Sequence, residues 1–468
     1  MGRYGKKKKM LLFLAGSIFF SLTGKTAMAA DLSLKEAVNL ALAQNTALKI
    51  TQRDEISAKA ELAKAKGNNN VAVTASDSLT TQKNNDSERS DSNNLGLSAS
   101  IPLYTGGKNQ AAIKKAELGV EAADLTTERE RENLKLSVIK AYYDSLEARK
   151  TIAVRQETVD KYQEHYTNVN ALYSAGSKAR IDVIRSSVEL SDARQELIKA
   201  QNSYEVKLAS LRNYLNINRN ESLNLTTDFM YDAFKIDMDS CIEYAYRNRK
   251  DLLVDANKLA QQEQNLKAAK AGNLPTLKLS VGANQINAFS PASNSRQGLS
   301  AGAALSWNIF DSGVTKAEIK AAESNLDIAK LNLQKDKENV DLAVRQAYYS
   351  MREAEKRFNS TKDAVKQAEE DAYIAREKYR AGEGLMLDII DAQEALAKAK
   401  LNFISAQYDY ARYKATVENA MGIGLSLDEQ TVAVKKASTA DIRSNVADNS
   451  IESADEVVAA MAGNEESK

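Results

Sequence analysis

The chain contains one long pattern twice, and this internal repeat restricts its possible folds more than any other feature. Ala141-Tyr142-Tyr143 recurs 206 residues later as Ala347-Tyr348-Tyr349. Further pairs at the same offset are Gly107 with Gly313, Ile113 with Ile319, Tyr173 with Tyr379, Gly176 with Gly382, Asp182 with Asp388, Gln201 with Gln407, and Tyr204 with Tyr410. This colinear series predicts two structural repeats, over 31–229 and 230–425, followed by a tail over 426–468.

Both repeats have the same predicted order of elements. A helical stretch comes first, with apolar residues at three- and four-residue spacing. Two segments follow in which apolar residues alternate with small or polar ones, a period typical of strands with one apolar face. A long helical hairpin with a glycine-containing turn ends each repeat. The predicted ranges are 34–66, 71–104 and 107–215 in the first repeat, and 238–271, 276–310 and 313–421 in the second.

The longest predicted helices, 108–173 and 314–379, are too long for an ordinary globular core. The whole chain has three prolines, and none lies in these two ranges. At about 1.5 Å per residue, each helix would be roughly 100 Å long. Ile319, Leu326 and Leu333 recur every seven residues in the second, which predicts left-handed coiled-coil packing. We therefore predict a mainly α fold with a small β part.

The composition argues against an enzyme. The chain has one histidine, His165, and one cysteine, Cys241, which leaves almost no material for a metal site, a disulfide or a cysteine–histidine dyad. We predict no catalytic residue, no metal and no cofactor. His165 is expected to be a solvated residue of the long helix, and Cys241 to be buried packing on an apolar helical face.

Residues 1–30 predict a secretory signal peptide. A basic cluster precedes a short apolar run, and Ala27-Met28-Ala29 supplies a cleavage motif. The alternative, a membrane anchor, is disfavoured because the apolar run is too short to span a bilayer. Cleavage would remove six basic residues and change the net charge from +1 to −5. A mildly acidic exported chain has no electrostatic reason to bind nucleic acid.

Four strands cannot close a barrel by themselves. An open sheet edge exposed to lipid would leave backbone groups without hydrogen bonds. Other subunits must therefore complete the strands. Three chains would supply twelve strands, enough for an outer-membrane β-barrel with a lumen, and would bring their helices together in an α-helical barrel. Tyr104, Trp307 and Phe310, at strand ends, are expected either to form an interfacial aromatic belt or to pack in the core near the barrel rim.

With this order of elements, the sequence resembles the TolC-type outer membrane efflux proteins. The resemblance rests on the duplication, on Pro102-Leu103-Tyr104-Thr105-Gly106-Gly107 before the first long helix, and on Asn308-Ile309-Phe310-Asp311-Ser312-Gly313 before the second. It extends to Gly424. It implies a homotrimer in the outer membrane with a long periplasmic extension. The expected function is the exit duct of a tripartite efflux pump or a type I secretion system, with a periplasmic adaptor and an inner-membrane pump of RND, ABC or MFS type as partners.

The resemblance also implies a periplasmic gate lined by acidic rings. The matching positions are Asp388 and Asp391, whose spacing of three places both carboxylates on one helical face. Three copies would form two stacked rings that attract cations. The alternative for Asp388 is a cap on the returning helix, and Asp182 is the corresponding candidate in the first repeat.

In that family, a tyrosine, an aspartate and an arginine near the tip hold the closed state. Tyr379 and Asp182 match the first two residues. The arginine position aligns with Gly384, and Arg180 is the nearby candidate to replace it.

The hairpin turns are where the family meets its adaptor. The matching residues are Ala175, Gly176, Ser177, Ala381, Gly382 and Glu383. The alternative is an ordinary glycine-terminated helix reversal. The acidic tail is expected to be partly disordered or to lie around the middle of the tunnel.

A second function remained open from the sequence: an exported periplasmic coiled-coil structural or adaptor protein. An adaptor would be expected to carry one hairpin flanked by β-rich domains, whereas this chain predicts two hairpins. The resemblance does not identify the cargo, and drugs, proteins and metals remain open as alternatives.

Overall fold

The computed structural model describes residues 30–83, 89–218, 223–290 and 293–423. The first half contains β1 (Ala30–Leu32), α1 (Leu34–Gln44), α2 (Thr46–Gly67), β2 (Ala72–Gln82), β3 (Ser90–Tyr104), α3 (Lys108–Ser174) and α4 (Arg180–Leu215). The second half contains β4 (Leu223–Leu225), α5 (Met238–Asn248), α6 (Lys250–Lys270), a 3-10 turn (Ala271–Asn273), β5 (Thr276–Ser290), β6 (Asn294–Ser306), α7 (Val314–Arg380) and α8 (Met386–Ala420). Apart from Ala30, the predicted signal peptide lies outside the described residues, as does the predicted tail.

The prediction of a mainly α fold with a small β part is confirmed. Helices α3 and α7 have 67 residues each, which corresponds to roughly 100 Å. Each forms a hairpin with the helix that follows it. The seven-residue stripe predicted on α7 is its covered side, because its members are half-buried or buried: Ile319, Leu326, Leu333 and Val340. No helix in the described ranges is both long and apolar enough to cross a membrane.

The first helical stretch of each half is interrupted, which the periodicity did not predict. Asn45 has extended backbone angles and separates α1 from α2. Its side-chain oxygen accepts a hydrogen bond from the backbone of Ala47 at 2.8 Å, and its side-chain nitrogen donates to the carbonyl oxygen of Tyr214 at 3.0 Å. Asn45 thus caps α2 and ties it to the end of α4. Arg249 occupies the corresponding break between α5 and α6.

One antiparallel sheet contains the strands of both halves in the order β2-β3-β5-β6. Its register aligns Val73, Ala99, Val281 and Ala301 across the four strands, and the next positions align Thr74, Ser98, Gly282 and Ser300. Since successive side chains point to opposite faces, one face is apolar and the other is small and polar. Strand β6 ends at Ser306, before the predicted boundary at residue 310, and the indole nitrogen of Trp307 donates to Asn273 O at 3.0 Å.

A buried tyrosine holds the segment that connects the two halves. The hydroxyl of Tyr142, which is fully buried, donates to Leu32 O at 2.8 Å and accepts from Thr227 N at 3.0 Å. Tyr410 makes the same pair of contacts farther along this segment, with Asp232 O at 2.6 Å and Phe234 N at 3.2 Å. Two hydroxyls therefore fasten the connection to α3 and α8. Cys241 is fully buried, as predicted.

We expect the substitution Tyr142→Phe to destabilise the folded chain by about 1–3 kcal/mol, because it removes two hydrogen bonds of a buried hydroxyl, each worth about 0.5–1.5 kcal/mol. Leu32 O keeps its hydrogen bond from Thr226 N at 3.1 Å, whereas Thr227 N loses its partner. The midpoint for loss of helical circular dichroism on heating should fall. The adjacent substitution Tyr143→Phe removes a hydroxyl from a half-buried ring on the same helix and serves as the control. Equal midpoints for the two variants would contradict this role of Tyr142.

Candidate functional site

Both helical hairpins reverse direction through the same glycine turn. Gly176 and Gly382 have left-handed backbone angles, with φ of 75° and 82°. The next residue donates its N–H back to the helix, from Ser177 to Leu172 O at 2.8 Å and from Glu383 to Lys378 O at 2.9 Å. This is the glycine-terminated reversal expected from the sequence. The six predicted docking residues are all exposed: Ala175, Gly176, Ser177, Ala381, Gly382 and Glu383.

An apolar cluster holds the two hairpins together near these turns. Its buried members come from α3, α4 and α8: Val159, Tyr162, Leu190, Ala193, Met386 and Ile390. Tyr379, the predicted gate tyrosine, packs against the edge of this cluster. Burial of these side chains fixes the turns relative to each other, so that the polar groups around them have defined positions.

Asp388 and Asp391 lie on the exposed side of α8, while Ile389 and Ile390 are buried. A carboxylate oxygen of Asp388 accepts a hydrogen bond from Leu385 N at 2.9 Å. Asp388 therefore caps the start of α8, in agreement with the alternative derived from the sequence. Asp391 accepts no hydrogen bond from any residue in the described ranges.

Asp391 belongs to a cluster of four carboxylates on α4 and α8. Burial raises the pKa of Glu189, and the neighbouring charges of Asp192, Glu394 and Asp391 raise it further against the opposing effect of Arg185. Burial, together with the charges of Glu189, Glu394 and Asp391, raises the pKa of Tyr162 to about 12. We refer to Glu189, Asp192, Asp391 and Glu394 as the acidic cluster. No group of three His, Cys, Asp or Glu suited to hold a metal ion occurs in the described part of the chain.

The sequence did not reveal three members of this cluster. Glu394 follows Asp391 by one helical turn, and this spacing was a usable signal. Glu189 and Asp192 lie on α4, about two hundred residues away along the chain. Only the packing of α4 near α8 brings their charges close to Asp391.

The predicted link between tyrosine, aspartate and arginine is absent from the described chain. The hydroxyl of Tyr379 is buried without a hydrogen-bond partner there. Neither the carboxylate of Asp182 nor the guanidinium of Arg180 forms an ion pair with a described residue.

The capping alternative for Asp182 is wrong, because Ala179 is the N-cap of α4 and that cap has no side-chain hydrogen bond. An added Cβ at Gly384 would lie 3.0 Å from Tyr379 N, so this turn has little room for the family's arginine.

Tyr379 instead contacts the first hairpin through His165 and Lys178. Its ring centroid lies 5.8 Å from that of His165 in an edge-on arrangement, and Lys178 Nζ lies 4.5 Å from the ring centroid. A cation over a tyrosine face is attracted by the ring electrons. These contacts connect α3 and the first turn to the end of α7.

The prediction that His165 is a solvated residue is wrong. Its ring packs against Tyr379, and its Nε2 is buried without a partner among the described residues. Burial lowers the pKa of His165, the nearby charge of Lys178 lowers it further, and Glu164 opposes the shift. The imidazole is therefore neutral at pH 7.

Acidification should weaken the packing of the tips. Because the pKa of His165 is lower in the folded chain than in the unfolded one, the unfolded chain binds more protons as the pH falls below about 6.5. Stability contributed by neutral His165 is thus present above that pH and lost below it. Between pH 8 and pH 5.5, the thermal unfolding midpoint of the native protein should fall more than that of a His165→Phe variant. An equal fall of the unfolding midpoint in the native protein and in the variant would contradict the lowered pKa of His165.

Comparisons with known proteins agree with this architecture. The family model described as outer membrane efflux protein matches residues 37–216 and 241–423. The outer membrane efflux protein BepC of Brucella suis is 21% identical over 415 residues, covering 88% of this chain and 89% of that protein. The outer membrane protein TolC of Escherichia coli is 21% identical over 357 residues, covering 72% and 71%.

Among solved structures, the outer membrane channel CmeC of Campylobacter jejuni superimposes with a TM-score of 0.75 at 19% identity. The match covers 86% of this chain and 88% of that one. The alternative of a periplasmic adaptor is not supported, because the efflux protein model spans both helical hairpins. The chain therefore belongs to the outer membrane efflux protein family.

Proposed function

We propose that three copies of this chain assemble into the exit duct of a tripartite efflux pump or a type I secretion system. The duct is a passive conduit in the outer membrane, and a periplasmic adaptor and an inner-membrane pump of RND, ABC or MFS type open its periplasmic tip. The observation that carries the proposal is that apolar side chains on α2 and α4 are exposed in the single chain, whereas their repeat equivalents are buried. Within the chain α6 packs between α3 and α7, whereas α2 packs along α3 at one side of the molecule.

Equivalent positions of the two repeats differ in exposure, and the difference indicates where the next copy binds. Val254 on α6 is 9% exposed, but its equivalent on α2, Ile50, is 57% exposed. Ile390 on α8 is 6% exposed, but its equivalent on α4, Ile184, is 49% exposed. A second copy that presents its α7 to α2 and α4 would cover these residues in the way that the chain covers their equivalents. Repetition of this head-to-tail contact closes a ring.

The sheet supports the same arrangement. Strands β2 and β6 are the two edges, and edge strands in a bilayer must be paired. Pairing β6 of one copy with β2 of the next gives twelve strands in three copies. The apolar face then contacts lipid and the polar face lines the lumen. Tyr104, Trp307 and Phe310 are exposed in the single chain, which favours the interfacial belt over packing in the core near the rim.

The acidic cluster and Asp388 form the proposed gate. In three copies these carboxylates form rings around the axis and concentrate cations at the tip. Tyr379 keeps the hairpins together through His165 and Lys178, and Asp182 adds a charge at the start of α4. The adaptor docks on the turns, where Ala175, Gly176, Ser177, Ala381, Gly382 and Glu383 are exposed.

Assembly should protect Ile184 from solvent. In a chain whose only cysteine is removed by Cys241→Ala, we expect Ile184→Cys in the detergent-solubilised assembly to react with a maleimide roughly tenfold more slowly than after heat dissociation, because an interface core excludes water. Lys366→Cys is the matched control, since Lys366 and its repeat equivalent Asp160 are both exposed. Equal protection at the two sites, or a monomer on an unheated gel, would refute the proposed assembly.

Removal of gate carboxylates should weaken block by divalent cations. For the double variant Asp388→Asn, Asp391→Asn, we expect single channels in planar bilayers to require a roughly tenfold higher Mg²⁺ concentration for half block, because the local potential that concentrates cations is reduced. Asp363→Asn, which removes an exposed carboxylate from α7, should leave the block unchanged. Unaltered block in the double variant would exclude these residues from the gate.

A further inference from the structure

We propose that the groove between the two hairpin tips of one chain binds an acidic turn of the docking partner. The proposal rests on the proposed function, which places a periplasmic adaptor at these tips, and adds the chemistry of the adaptor segment. The occupant is a helical hairpin whose turn carries carboxylate side chains. Three such grooves, one in each chain, would be present in the trimer.

The groove has a volume of about 530 Å³, within the range of roughly 300–1,000 Å³ found for ligand pockets. Its walls come from α3, the first turn, the end of α7 and the start of α8. The charged residues among its lining are Lys161, Glu164, Lys178, Arg376 and Arg380. Four cations and one carboxylate therefore face the same space.

Two of these cations are not neutralised within the described chain. Lys161 pairs with Glu164 at 3.5 Å, and Arg380 pairs with Glu377 at 3.0 Å. Lys178 contacts only the face of Tyr379, and Arg376 has no carboxylate partner among the described residues. A guanidinium without a partner can bind a carboxylate through two parallel hydrogen bonds.

The cations on the groove wall favour a carboxylate as the ligand. A carboxylate that enters between Lys178 and Arg376 can accept hydrogen bonds from the ammonium and the guanidinium. A lysine or arginine from the partner would meet like charges in this groove and offers no acceptor.

The equivalent positions of the other repeat lack this set of four cations, although Lys378 replaces Leu172 there. Ring closure forms a second class of groove between neighbouring copies, lined by the equivalent positions of the other repeat. There the four cations are replaced by neutral residues: Lys161 by Gln367, Lys178 by Gly384, Arg376 by Asn170 and Arg380 by Ser174. His165 is replaced by Asp371. An acidic turn would thus choose the groove within a chain over the groove between chains.

The test uses the full-length trimer in detergent and two synthetic helical-hairpin peptides. The peptides differ only in the turn, which carries two glutamates in one and two glutamines in the other. Fluorescence anisotropy should give at least roughly tenfold tighter binding of the glutamate peptide, with one peptide bound per chain. Raising the salt concentration from 0.1 M to 1 M should remove most of the preference, since the Debye length falls from about 10 Å to about 3 Å.

Matched variants locate the binding site. The pair Lys178→Gln, Arg376→Gln should abolish the preference for glutamate, whereas Lys362→Gln, Lys366→Gln on the exposed side of α7 should retain it. The pair Asn170→Arg, Ser174→Arg should add a second binding site per chain, because it makes the groove between copies basic.

Equal affinity for the two peptides overturns the proposal, as does a glutamate preference that survives Lys178→Gln, Arg376→Gln. Absence of binding because a neighbouring copy fills the groove also overturns it. A trimer that conducts ions without a glutamate preference refutes this inference alone. A chain that neither assembles nor conducts refutes the proposed function itself.

Discussion

Helices of roughly 100 Å cannot be covered by a single partner, and this constraint governs the molecule. Each long helix packs against its returning helix in one region and against a shorter helix in another. Within one chain, the shorter helix α6 packs between α3 and α7, and α2 packs along α3. The far sides of α2 and α7 have no such partner within the described chain. Exposed apolar residues occur on both helices, for example Ile50 and Ile56 on α2, and Ile328 and Leu331 on α7. The proposed ring of identical chains would cover them with the contacts already used inside each chain.

The contact between α3 and α8 is ionic, and the equivalent positions of the other repeat carry different residues. Arg412 on α8 donates to Asp144 at 2.7 Å and also contacts Glu147 and Asp409, and its side chain is only 15% exposed. Burial raises the pKa of Glu147 although Arg412 opposes the shift. The repeat equivalent of Arg412 is Val206, which is 56% exposed.

The contact inside the chain is therefore ionic and directional. At the equivalent positions of the other repeat, Val206 replaces the arginine, and Ser350 and Ser203 replace Asp144 and Asp409. Removing one member of a buried ion group would leave an uncompensated charge, so this network disfavours other registers of the two hairpins. The same divergence appears at the tips, where the four cations that line the groove of the chain have neutral residues at the equivalent positions of the other repeat. The two repeats therefore share one backbone arrangement but carry chemically different side chains at equivalent positions.

The sequence by itself determined the mainly α fold, the two hairpins, their glycine turns and the two strand pairs. These features follow from local periodicity and from residues such as Gly176 and Gly382, whose backbone angles depend on neighbours in the chain. Only the tertiary structure decided the order β2-β3-β5-β6, the proximity of Glu189 to Asp391, and the packing of His165 against Tyr379. Those contacts join residues far apart in sequence, and no spacing along the chain encodes which faces of α3, α4, α7 and α8 meet.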